Sequence, residues 1–542
     1  MQTEGKVRLT ILQSGGGAAL DASLHIPDPT ALAPDIPVRE RSDGSGPERT
    51  SSYTVYVDLP DEAEQMLLVH AYTGAFDRVS RRVATYLRTL EPVHAPRPLY
   101  GSWSAEPAVD GEVARPSDAT LERLRRRGYL TRMTADEEQA YFANVALRLH
   151  QVALHRQPTY VLMPTYQCNL RCPYCFQDHM RTDPAYQHLL RTMDRATIDR
   201  IWRGMDQIDA AHGITDSNRT PRNITLFGGE PFLAESRPII EYLLGKGGAR
   251  FSAVSNATEL DAYRDLLGPH GIGAIQITLD GPPDAHDRRR IYPDGSGSFE
   301  RIAANITLAL DAGVAISLRM NVDRENVARL PELAREFVGR GWSKYPRFSA
   351  YTAVVHASND KTDAASTFDT WELGRALEAL RAEVPEMSLI GGQDDSMLAN
   401  VRRLFDQRSD PLPGFRATYC GAHSTMYVID AFGDIYACWE RTGAPEERIG
   451  AIDAEGPVRV NRATLEMWRR RNVTTNEVCR QCRYATWCGG GCAAYAEHDH
   501  GDMYHNYCDG FGRRFRATVA HAYRDFVAGT KRPMASESVC GR

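Results

Sequence analysis

Strand and helix patterns alternate six times between residues 160 and 354. Amphipathic stretches such as TIDRIWRGMDQI and ARLPELAREFVGRG separate six apolar, β-prone runs: YVLMPTY, NITLFGG, FSAVSN, AIQITLD, AISLRMNV and PRFSAYTAVV. Strands that alternate with helices pair in parallel, because each strand needs a crossover connection to reach the next one. Six units without a seventh and an eighth therefore predict an α/β fold with an open, partial (βα)6 barrel over residues 155–358.

The conspicuous polar motifs of this region follow the predicted strands. CNLRCPYC comes after the first strand, GGEP comes after the second, SN closes the third and LDG closes the fourth. Ligands of parallel α/β folds bind at the carboxyl ends of the strands. The sequence therefore predicts one site on one rim of the barrel, to which all four motifs contribute.

Regions on both sides of the barrel differ from it in composition. Residues 1–52 are rich in Gly, Pro, Asp and Ser and predict a flexible segment, in which KVRLTIL is a possible strand. Residues 359–414 predict a helical connector, and residues 513–542 predict a helix with a polar tail. Residues 415–512 hold seven cysteines and show little periodicity, which predicts a domain that needs metal to fold.

Residues 53–150 have a pattern of their own. The runs YTVYVDL and MLLVHAYTG predict two strands, and RVSRRVATYLRTL predicts a helix. A second helix is expected from Ser117 or Asp118 to a stop at Gly128, and a longer one over about 135–155. Two strands followed by small helices predict an α+β, winged-helix-like module in front of the barrel.

The bulk composition argues against several classes of partner. The net charge of the 542 residues is −6, which does not indicate nucleic acid or an anionic membrane as a partner. No apolar run reaches the ~18 residues of a membrane span, and the first residues lack the pattern of a signal peptide. We therefore expect a cytoplasmic protein whose cysteines are reduced and available to metals.

The eleven cysteines are unevenly distributed. Three form CX3CX2C at Cys168, Cys172 and Cys175, seven follow between residues 420 and 508, and Cys540 stands alone. Three thiols in a polar loop allow three interpretations: buried structural thiols, a zinc site completed by His179, or an iron–sulfur cluster with one open iron. The open iron explains the missing fourth ligand, because an exogenous chelator can bind it.

CX3CX2C with Tyr174 before the third cysteine, on the loop after strand one of a (βα)6 barrel, resembles the radical S-adenosylmethionine (SAM) superfamily. The resemblance implies that the thiolates hold a [4Fe–4S] cluster whose open iron binds the amino and carboxylate groups of SAM. It also implies that an electron from the cluster cleaves SAM to a 5′-deoxyadenosyl radical, which abstracts a hydrogen atom.

Further motifs extend this resemblance to SAM binding. GGEP resembles the strand-two motif, although GGEP alone could be a turn; its glycines would let the backbone approach the methionine moiety. SNAT resembles a strand-three motif with alanine in place of glycine, and QITLDGPPDAHDRRR resembles a stretch of peptide-modifying members. A solvated charge run is the alternative for the three arginines. The implied SAM contacts are Tyr174, Gly228, Gly229, Glu230, Ser255, Asn256, Thr278, Arg290 and Asn321.

The later cysteines resemble the seven-cysteine SPASM domain, with the spacing CX12GX4C, then CX2CX5CX3C, then X15C. The resemblance implies two auxiliary [4Fe–4S] clusters, so that the protein would hold three clusters. Cys479, Cys482, Cys488 and Cys508 would hold one, and Cys420, Cys438 and Cys492 would hold the other with an unidentified fourth ligand. Zinc at the CX2C pair is the alternative.

Together the motifs resemble radical SAM/SPASM maturases of ribosomally synthesised peptides (RiPPs). The resemblance implies an oxidoreductase that modifies, by crosslinking, a precursor peptide, with a reductant such as flavodoxin or ferredoxin. Sulfatase-maturing (formylglycine-forming) enzymes share the motifs but carry an aspartate where this chain has Trp439, so Glu440 is the candidate catalytic base. A non-catalytic electron carrier or peptide-binding scaffold is a third hypothesis, which the SAM-side motifs argue against.

The strands and helices in front of the barrel resemble the PqqD-like peptide-recognition element of such maturases. The resemblance implies that a leader peptide adds a strand to an exposed sheet edge. A cationic face formed by Arg123, Arg125, Arg126 and Arg127 would meet acidic leader residues. A winged-helix module that only packs on the barrel is the alternative, and the net charge gives a nucleic-acid role little support.

Overall fold

The computed structural model describes residues 35–91, 113–357, 359, 361–405 and 414–529, together with positions 24, 26 and 31. The possible strand at KVRLTIL and the lone Cys540 lie outside the described residues. None of the helices in the described ranges combines the length and the hydropathy that a membrane crossing needs.

A small α+β module precedes the barrel. Its elements are β1 (Arg49–Thr50), β2 (Thr54–Asp58), β3 (Gln65–His70), β4 (Phe76–Ser80), α1 (Arg81–Thr89), α2 (Asp118–Arg127) and β5 (Leu130–Thr131). Strands β2, β3 and β4 form an antiparallel sheet, and β1 pairs with β5. Both predicted strands are present, as β2 and β3, and FDRVS adds a third strand that was not predicted. Ser80 caps α1 by accepting from the amide of Val83, and this cap confines the helix to the residues after it.

The helices on either side of β5 agree with the sequence interpretation. Ser117 caps α2 by accepting from the amide of Thr120 at 3.3 Å. Gly128 ends α2 with a φ of 92°, a conformation that favours glycine. Helix α3 (Ala135–Leu154) begins with a capping box and matches the expected long helix.

Strand β1 lies inside the segment predicted to be flexible. Arg49 of β1 forms an ion pair of 2.8 Å with Glu138 of α3, whose side chain is fully buried. Ser51 and Tyr72 also donate to this carboxylate. Because a buried carboxylate is stable only with such partners, the network fixes the start of the described chain to α3.

The barrel contains the six predicted strands in chain order. They are β6 (Thr159–Leu162), β7 (Arg222–Leu226), β8 (Ala249–Ser255), β9 (Ile272–Thr278), β10 (Ala315–Val322) and β11 (Phe348–Val354). All neighbours pair in parallel, as the alternation of strand and helix predicts. The first strand is shorter than the run YVLMPTY, because the chain leaves the sheet after Leu162 to enter the cysteine loop.

Helices connect these strands and cover the sheet. They are α4 (Asp178–Thr182), α5 (Arg195–Ala211), α6 (Arg237–Leu244), α7 (Pro283–His286), α8 (Phe299–Asp311) and α9 (Leu330–Gly339). In α5, Ile198, Ile201, Met205 and Ile208 share one buried face at helical spacing, which explains why this amphipathic segment forms a helix. The core contains residues from all six strands and from the longer helices.

The sheet continues beyond the barrel at both ends, to eleven strands in total. The connector contributes α10 (Thr370–Glu383), β12 (Ile390–Gly391) and α11 (Asp395–Phe405), and β12 pairs with β11. The cysteine-rich segment contributes β13 (Met426–Ile429), β14 (Asp434–Tyr436), β15 (Arg448–Ile452) and β16 (Val458–Val460). Strand β13 pairs in parallel with β6, and the last three strands continue antiparallel. The cysteine-rich segment therefore shares the barrel's hydrophobic core.

Short helices complete the cysteine-rich segment: α12 (Arg462–Arg470), α13 (Glu477–Arg480), α14 (Ala485–Cys488), α15 (Ala493–His500) and α16 (Phe511–Val527). Helix α16 matches the expected C-terminal helix.

The N-terminal module packs on this segment. Val55 and Val57 of β2 lie in one apolar cluster with Phe515 and Val519 of α16. A second cluster joins Tyr53 and Phe142 to Cys479.

Candidate active site

The CX3CX2C loop follows β6 and places its thiols on the rim of the barrel. The thiol of Cys168 accepts from the amide of Leu170 at 3.5 Å and from Nδ2 of Asn256 at 3.8 Å. The thiol of Cys175 accepts from Nη2 of Arg181 at 3.2 Å. Hydrogen-bond donors therefore reach these sulfur atoms, and iron-bound thiolates would accept such hydrogen bonds.

The charge balance of this loop fits an anionic iron–sulfur cluster. Burial raises the pKa of Cys172 to about 12, although the Arg290 charge opposes the shift, so the bare thiol is protonated at neutral pH. Nε and Nη1 of Arg181 are buried and have no hydrogen-bond partner among the described residues. Thiolates bound to iron would supply the negative charge that these groups lack.

The zinc alternative fits the loop less well. His179, its expected fourth ligand, is exposed, and its ring packs edge-on against Tyr186 at 4.8 Å. Across the described ranges, no three His, Cys, Asp or Glu side chains converge on a point that could hold a single metal ion. Thiolates that hold a cluster ligate different irons and do not need to converge in this way.

Glu230 lies in the turn after β7, and its buried carboxylate has three donors. Ser255 Oγ donates to Oε1 at 2.7 Å, the amide of Phe232 donates to Oε1 at 2.9 Å, and the amide of Asn256 donates to Oε2 at 2.6 Å. Burial nevertheless raises its pKa to about 7. Ser255 and Asn256, which we expected to contact SAM, therefore position Glu230 in this structure.

The two glycines before Glu230 allow the close approach of two backbone segments. A Cβ at Gly228 would lie 2.4 Å from the carbonyl oxygen of Thr165, and one at Gly229 would lie 2.0 Å from that of Gln167. Side chains here would push the turn away from the cysteine loop. The structure therefore shows a tight contact between this turn and the cysteine loop.

The alanine of SNAT adopts a conformation that glycine adopts more easily. Ala257 has a φ of 61° and is fully buried. Such a φ is uncommon for residues with a Cβ, which explains the glycine of the related motif. Asn305 of α8 donates to the carbonyl oxygen of Ala257 at 2.7 Å and holds the turn in place.

Tyr174 takes part in a polar network at the ends of β9 and β10. Its hydroxyl donates to Asp280 and accepts from Nη1 of Arg290 at 2.9 Å and from Nδ2 of Asn321 at 3.3 Å. Asp280 also accepts from the amide of Asn321 at 2.9 Å. Thr278 is the buried last residue of β9. The network connects three predicted SAM contacts, Tyr174, Arg290 and Asn321, through Asp280. Asp280 was not predicted as a site residue and appeared only within the motif LDG.

The three consecutive arginines after β9 have different environments. Arg288 is exposed and pairs with Asp284, as the solvated charge run predicts. Arg289 is half-buried and pairs with Asp323 at 2.7 Å. Arg290 is buried, and its charge interacts with Cys172 and Tyr174. The solvated alternative is therefore wrong for Arg290.

Two further groups of thiols form in the cysteine-rich segment. The Cys479 group consists of Cys479, Cys482, Cys488 and Cys508, whose charges interact with one another. The Cys438 group consists of Cys420, Cys438 and Cys492, which interact in the same way. These are the two sets that the resemblance implies, and all ten of the described cysteines are free of disulfides.

The Cys479 group lies around a small cavity, of about 30 Å³, with apolar walls. Its four thiols line the cavity together with Tyr484, Ala485 and Phe511. Asn506 Nδ2 donates to the thiol of Cys508 at 3.1 Å, and the amide of Tyr484 donates to that of Cys482 at 3.4 Å. Four thiols and sulfur-directed donors around an apolar cavity fit a fully ligated cluster.

Glu440 lies beside the Cys438 group. Burial raises its pKa to about 7, while Arg319 and Arg441 and a hydrogen bond with Trp439 act in the opposite direction. Its charge interacts with Cys438 and Cys492. Glu440 is therefore not a surface carboxylate, because it is half-buried and interacts with Arg319 of β10 and with the cysteines.

A row of aromatic rings joins the CX3CX2C loop to the Cys438 group. Phe176 follows Cys175 and stacks on Phe227 at 6.5 Å; Phe227 contacts Trp439, next to Cys438, at 5.8 Å. All three rings are partly buried. The sequence interpretation missed this row, although each ring is adjacent to a motif that it singled out.

Comparisons with known proteins agree with this geometry for the barrel. Residues 162–337 match the model of the Radical SAM superfamily. A GTP 3′,8-cyclase of Caulobacter vibrioides is 26% identical over 33% of this chain and 47% of its own length. An Fe-coproporphyrin III synthase of Methanosarcina barkeri is 25% identical over 39% of this chain and 48% of its own length. The chain thus spans about half the length of these curated relatives.

One solved structure shows the same fold. Native anSMEcpe with bound AdoMet superposes with a TM-score of 0.50 over 69% of this chain and 100% of its own, at 14% identity. At this identity the likeness concerns the fold alone. Together with the family match and the rim geometry, it shows that residues 162–337 form a radical SAM domain with the fold of that superfamily.

Proposed function

We propose that the protein is a radical SAM enzyme that modifies, by crosslinking, a ribosomally synthesised precursor peptide. The observation that carries the proposal is the row of partly exposed rings between two thiol groups, from Phe176 through Phe227 to Trp439. A substrate on this row would lie between the SAM side and a second redox centre. The radical SAM domain supports the first half of the proposal, and the position of the Cys438 group supports the second.

The donor sets fit three [4Fe–4S] clusters. They are Cys168, Cys172 and Cys175 for the SAM cluster, the Cys479 group for one auxiliary cluster, and the Cys438 group for the other. When bound, these clusters supply the electron that cleaves SAM to methionine and a 5′-deoxyadenosyl radical, and they accept the electron that the oxidised peptide releases. A reductant such as flavodoxin or ferredoxin would reload them.

The residues of the rim would bind and orient SAM. The Glu230 carboxylate would accept from the SAM ammonium group, and the donors on both of its oxygens fix its direction. Arg290 is fixed by Tyr174, which is itself fixed by Asp280. This places a cation next to Cys172, where it can meet the SAM carboxylate.

Glu440 would take the proton that crosslinking releases. A crosslink removes two hydrogen atoms from the peptide: one leaves as an atom to the deoxyadenosyl radical, and the other leaves as a proton and an electron. A carboxyl group with a pKa of about 7 is half-ionised at neutral pH and suits a proton acceptor. Its position beside Trp439 puts it at the end of the aromatic row.

The N-terminal module would capture the leader of the precursor peptide. Its sheet has two edges, β2 and β4, at which an extended peptide could add a strand. The expected cationic face is smaller than the sequence suggests, because Arg125 pairs with Glu48 and Arg127 pairs with Asp77. Arg123 and Arg126 are exposed and remain for acidic leader residues.

The test is anaerobic turnover of the reconstituted protein with SAM, dithionite and the precursor peptide. We expect 5′-deoxyadenosine and a peptide that has lost two hydrogen atoms, both detected by mass spectrometry. No 5′-deoxyadenosine would indicate an electron carrier or a scaffold. Formylglycine from a sulfatase peptide would indicate the sulfatase-maturing alternative, and turnover of GTP would indicate the chemistry named for the Caulobacter relative.

A further inference from the structure

Arg471 is a buried cation in the cysteine-rich segment, directly after α12. Only 4% of its surface is exposed. Nε donates to the carbonyl of Met503, Nη1 to that of Gly491 at 2.9 Å, and Nη2 to those of Gly490 and His505 at 3.3 and 3.1 Å. In this part of the described chain, its hydrogen-bond partners are backbone carbonyls, and none is a carboxylate.

The CGGGC loop at 488–492, which Arg471 holds, joins the two auxiliary thiol groups. Its three glycines have φ values of 76°, 87° and 79°. A Cβ on the first would lie 2.5 Å from the carbonyl oxygen of Thr418, and one on the third would lie 1.9 Å from that of Tyr507. Only glycine fits these positions, so the loop fixes the two cysteines at its ends relative to Arg471.

The guanidinium group lies between the two thiol groups. A Cβ at Gly490 would lie 3.8 Å from Cys479 Sγ and 3.9 Å from Arg471 Nη1, so the guanidinium group and this thiol border the same glycine. The charge interacts with Cys479 and Cys488 of one group and with Cys420 and Cys492 of the other. Burial lowers the pKa of Arg471, and these thiolates oppose the shift.

A buried cation without a negative partner is strongly destabilising. Clusters held by these thiolates would bring negative charge close to Arg471, and this charge would increase on reduction. A fixed cation therefore stabilises the reduced state more than the oxidised state. We propose that Arg471 is the shared counter-cation of the two auxiliary clusters and raises the reduction potential of both. The inference rests on the proposed function in one respect, since it requires that both auxiliary clusters are present.

The experiment compares R471Q with R471K in the reconstituted full-length protein. Both variants lose the hydrogen bonds of the guanidinium group, but only R471Q loses the charge. In an EPR-monitored redox titration, we expect R471Q to lower the reduced-to-oxidised ratio of the auxiliary clusters about tenfold at a given potential, or about 59 mV for one electron. R471K should stay close to the wild type.

A matched control is R222Q, which removes a buried arginine that has carboxylate partners, Asp206 and Asp209, in the barrel. It should leave the auxiliary potentials unchanged. If R471Q loses the auxiliary clusters while R471K keeps them, the charge is required and the inference also stands. The inference is overturned if the auxiliary reduction potentials shift equally in R471Q and R471K, if both variants lose the clusters, or if the potentials shift in neither variant.

The iron content of the wild type separates this inference from the proposed function. If the wild type holds only about four irons, the proposed cluster set is wrong and the inference fails with it. If the wild type holds about twelve irons and the two variants titrate alike, the cluster set stands and Arg471 only supports the loop.

Discussion

The barrel thiols and the Cys479 group are built in opposite ways. The barrel thiols lie on a rim with Glu230, Arg290 and Arg181, and donors from three segments reach their sulfur atoms. The Cys479 group surrounds a cavity with apolar walls and packs against the N-terminal module. A polar rim suits a charged ligand that enters and leaves, whereas an apolar enclosure suits a centre that exchanges only electrons.

The Cys438 group combines features of both regions. It has three thiols, like the barrel loop, but it belongs to the same segment as the Cys479 group. A carboxylate, Glu440, and an aromatic ring, Trp439, lie beside it and face the barrel side through Arg319 and Phe227. This contrast between the barrel thiols and the Cys479 group is why we propose substrate chemistry between the barrel and the Cys438 group.

The largest expected effect distinguishes the barrel thiols from the Cys479 group. Replacing Cys168, Cys172 and Cys175 with alanine should abolish 5′-deoxyadenosine formation and remove about four of about twelve irons, because the SAM cluster loses its ligands. Replacing Cys479, Cys482 and Cys488 should remove a similar share of iron. SAM cleavage in the absence of peptide should be unchanged. Iron analysis and mass spectrometry measure both. Formation of 5′-deoxyadenosine by the first variant would contradict the assignment of the SAM cluster to the barrel thiols.

Glu440 should affect the product more than SAM cleavage. E440Q removes the proton acceptor, so crosslinked peptide should form about 100-fold more slowly while uncoupled 5′-deoxyadenosine persists. E446Q is the matched control, since Glu446 lies nearby in the same stretch and is exposed. Equal product rates for E440Q and E446Q would remove Glu440 from the mechanism.

The arginines after β9 test whether the rim binds SAM. R290Q should weaken SAM binding at least tenfold, about 1.4 kcal/mol, because it removes the buried cation next to Cys172. R288Q should change binding little, because Arg288 is exposed. Isothermal titration of SAM into the reconstituted variants gives both affinities. Similar losses at the two positions would mean that Arg290 acts only through net charge.

SAM binding should depend on pH through Glu230. Burial raises the pKa of its carboxyl group from 4.5 to about 7, so the fraction that can accept from an ammonium group falls as the pH falls through 7. Affinity should therefore drop about tenfold from pH 8 to pH 6. E230Q should bind weakly and without this pH dependence. A wild-type affinity that does not change over the same range would exclude this role.

The smallest expected effect concerns the N-terminal module. R123E/R126E should weaken binding of a labelled leader peptide a few-fold, because these exposed arginines can interact with the acidic residues of the peptide. R125E is the control, since Arg125 already pairs with Glu48. Fluorescence anisotropy measures the affinities. These substitutions are preferable to deletion of the module, which would uncover Cys479. A larger loss of affinity for R125E than for R123E/R126E would indicate that the leader peptide binds at a different surface.

Much of the fold could be predicted from local patterns. The six parallel strands, the caps of α2 at Ser117 and Gly128, and helix α16 follow from periodicity and from residues with strong local preferences. The third strand of the module could not be predicted, because FDRVS has little β-pattern of its own and pairs with β3 only in the folded chain. Strand β13 likewise becomes part of the barrel sheet only through its long-range pairing with β6.

The sequence by itself determined the spacing of the cysteines, the order of strand and helix, and the motifs at the strand ends, because these depend on neighbours along the chain. Only the tertiary structure decided which arginine of three is buried, that Asp280 joins Tyr174 to Asn321, and that Arg471 lies between two thiol groups. These facts depend on segments far apart in the chain. Burial and partner charges come from the packed structure, and no local pattern encodes them.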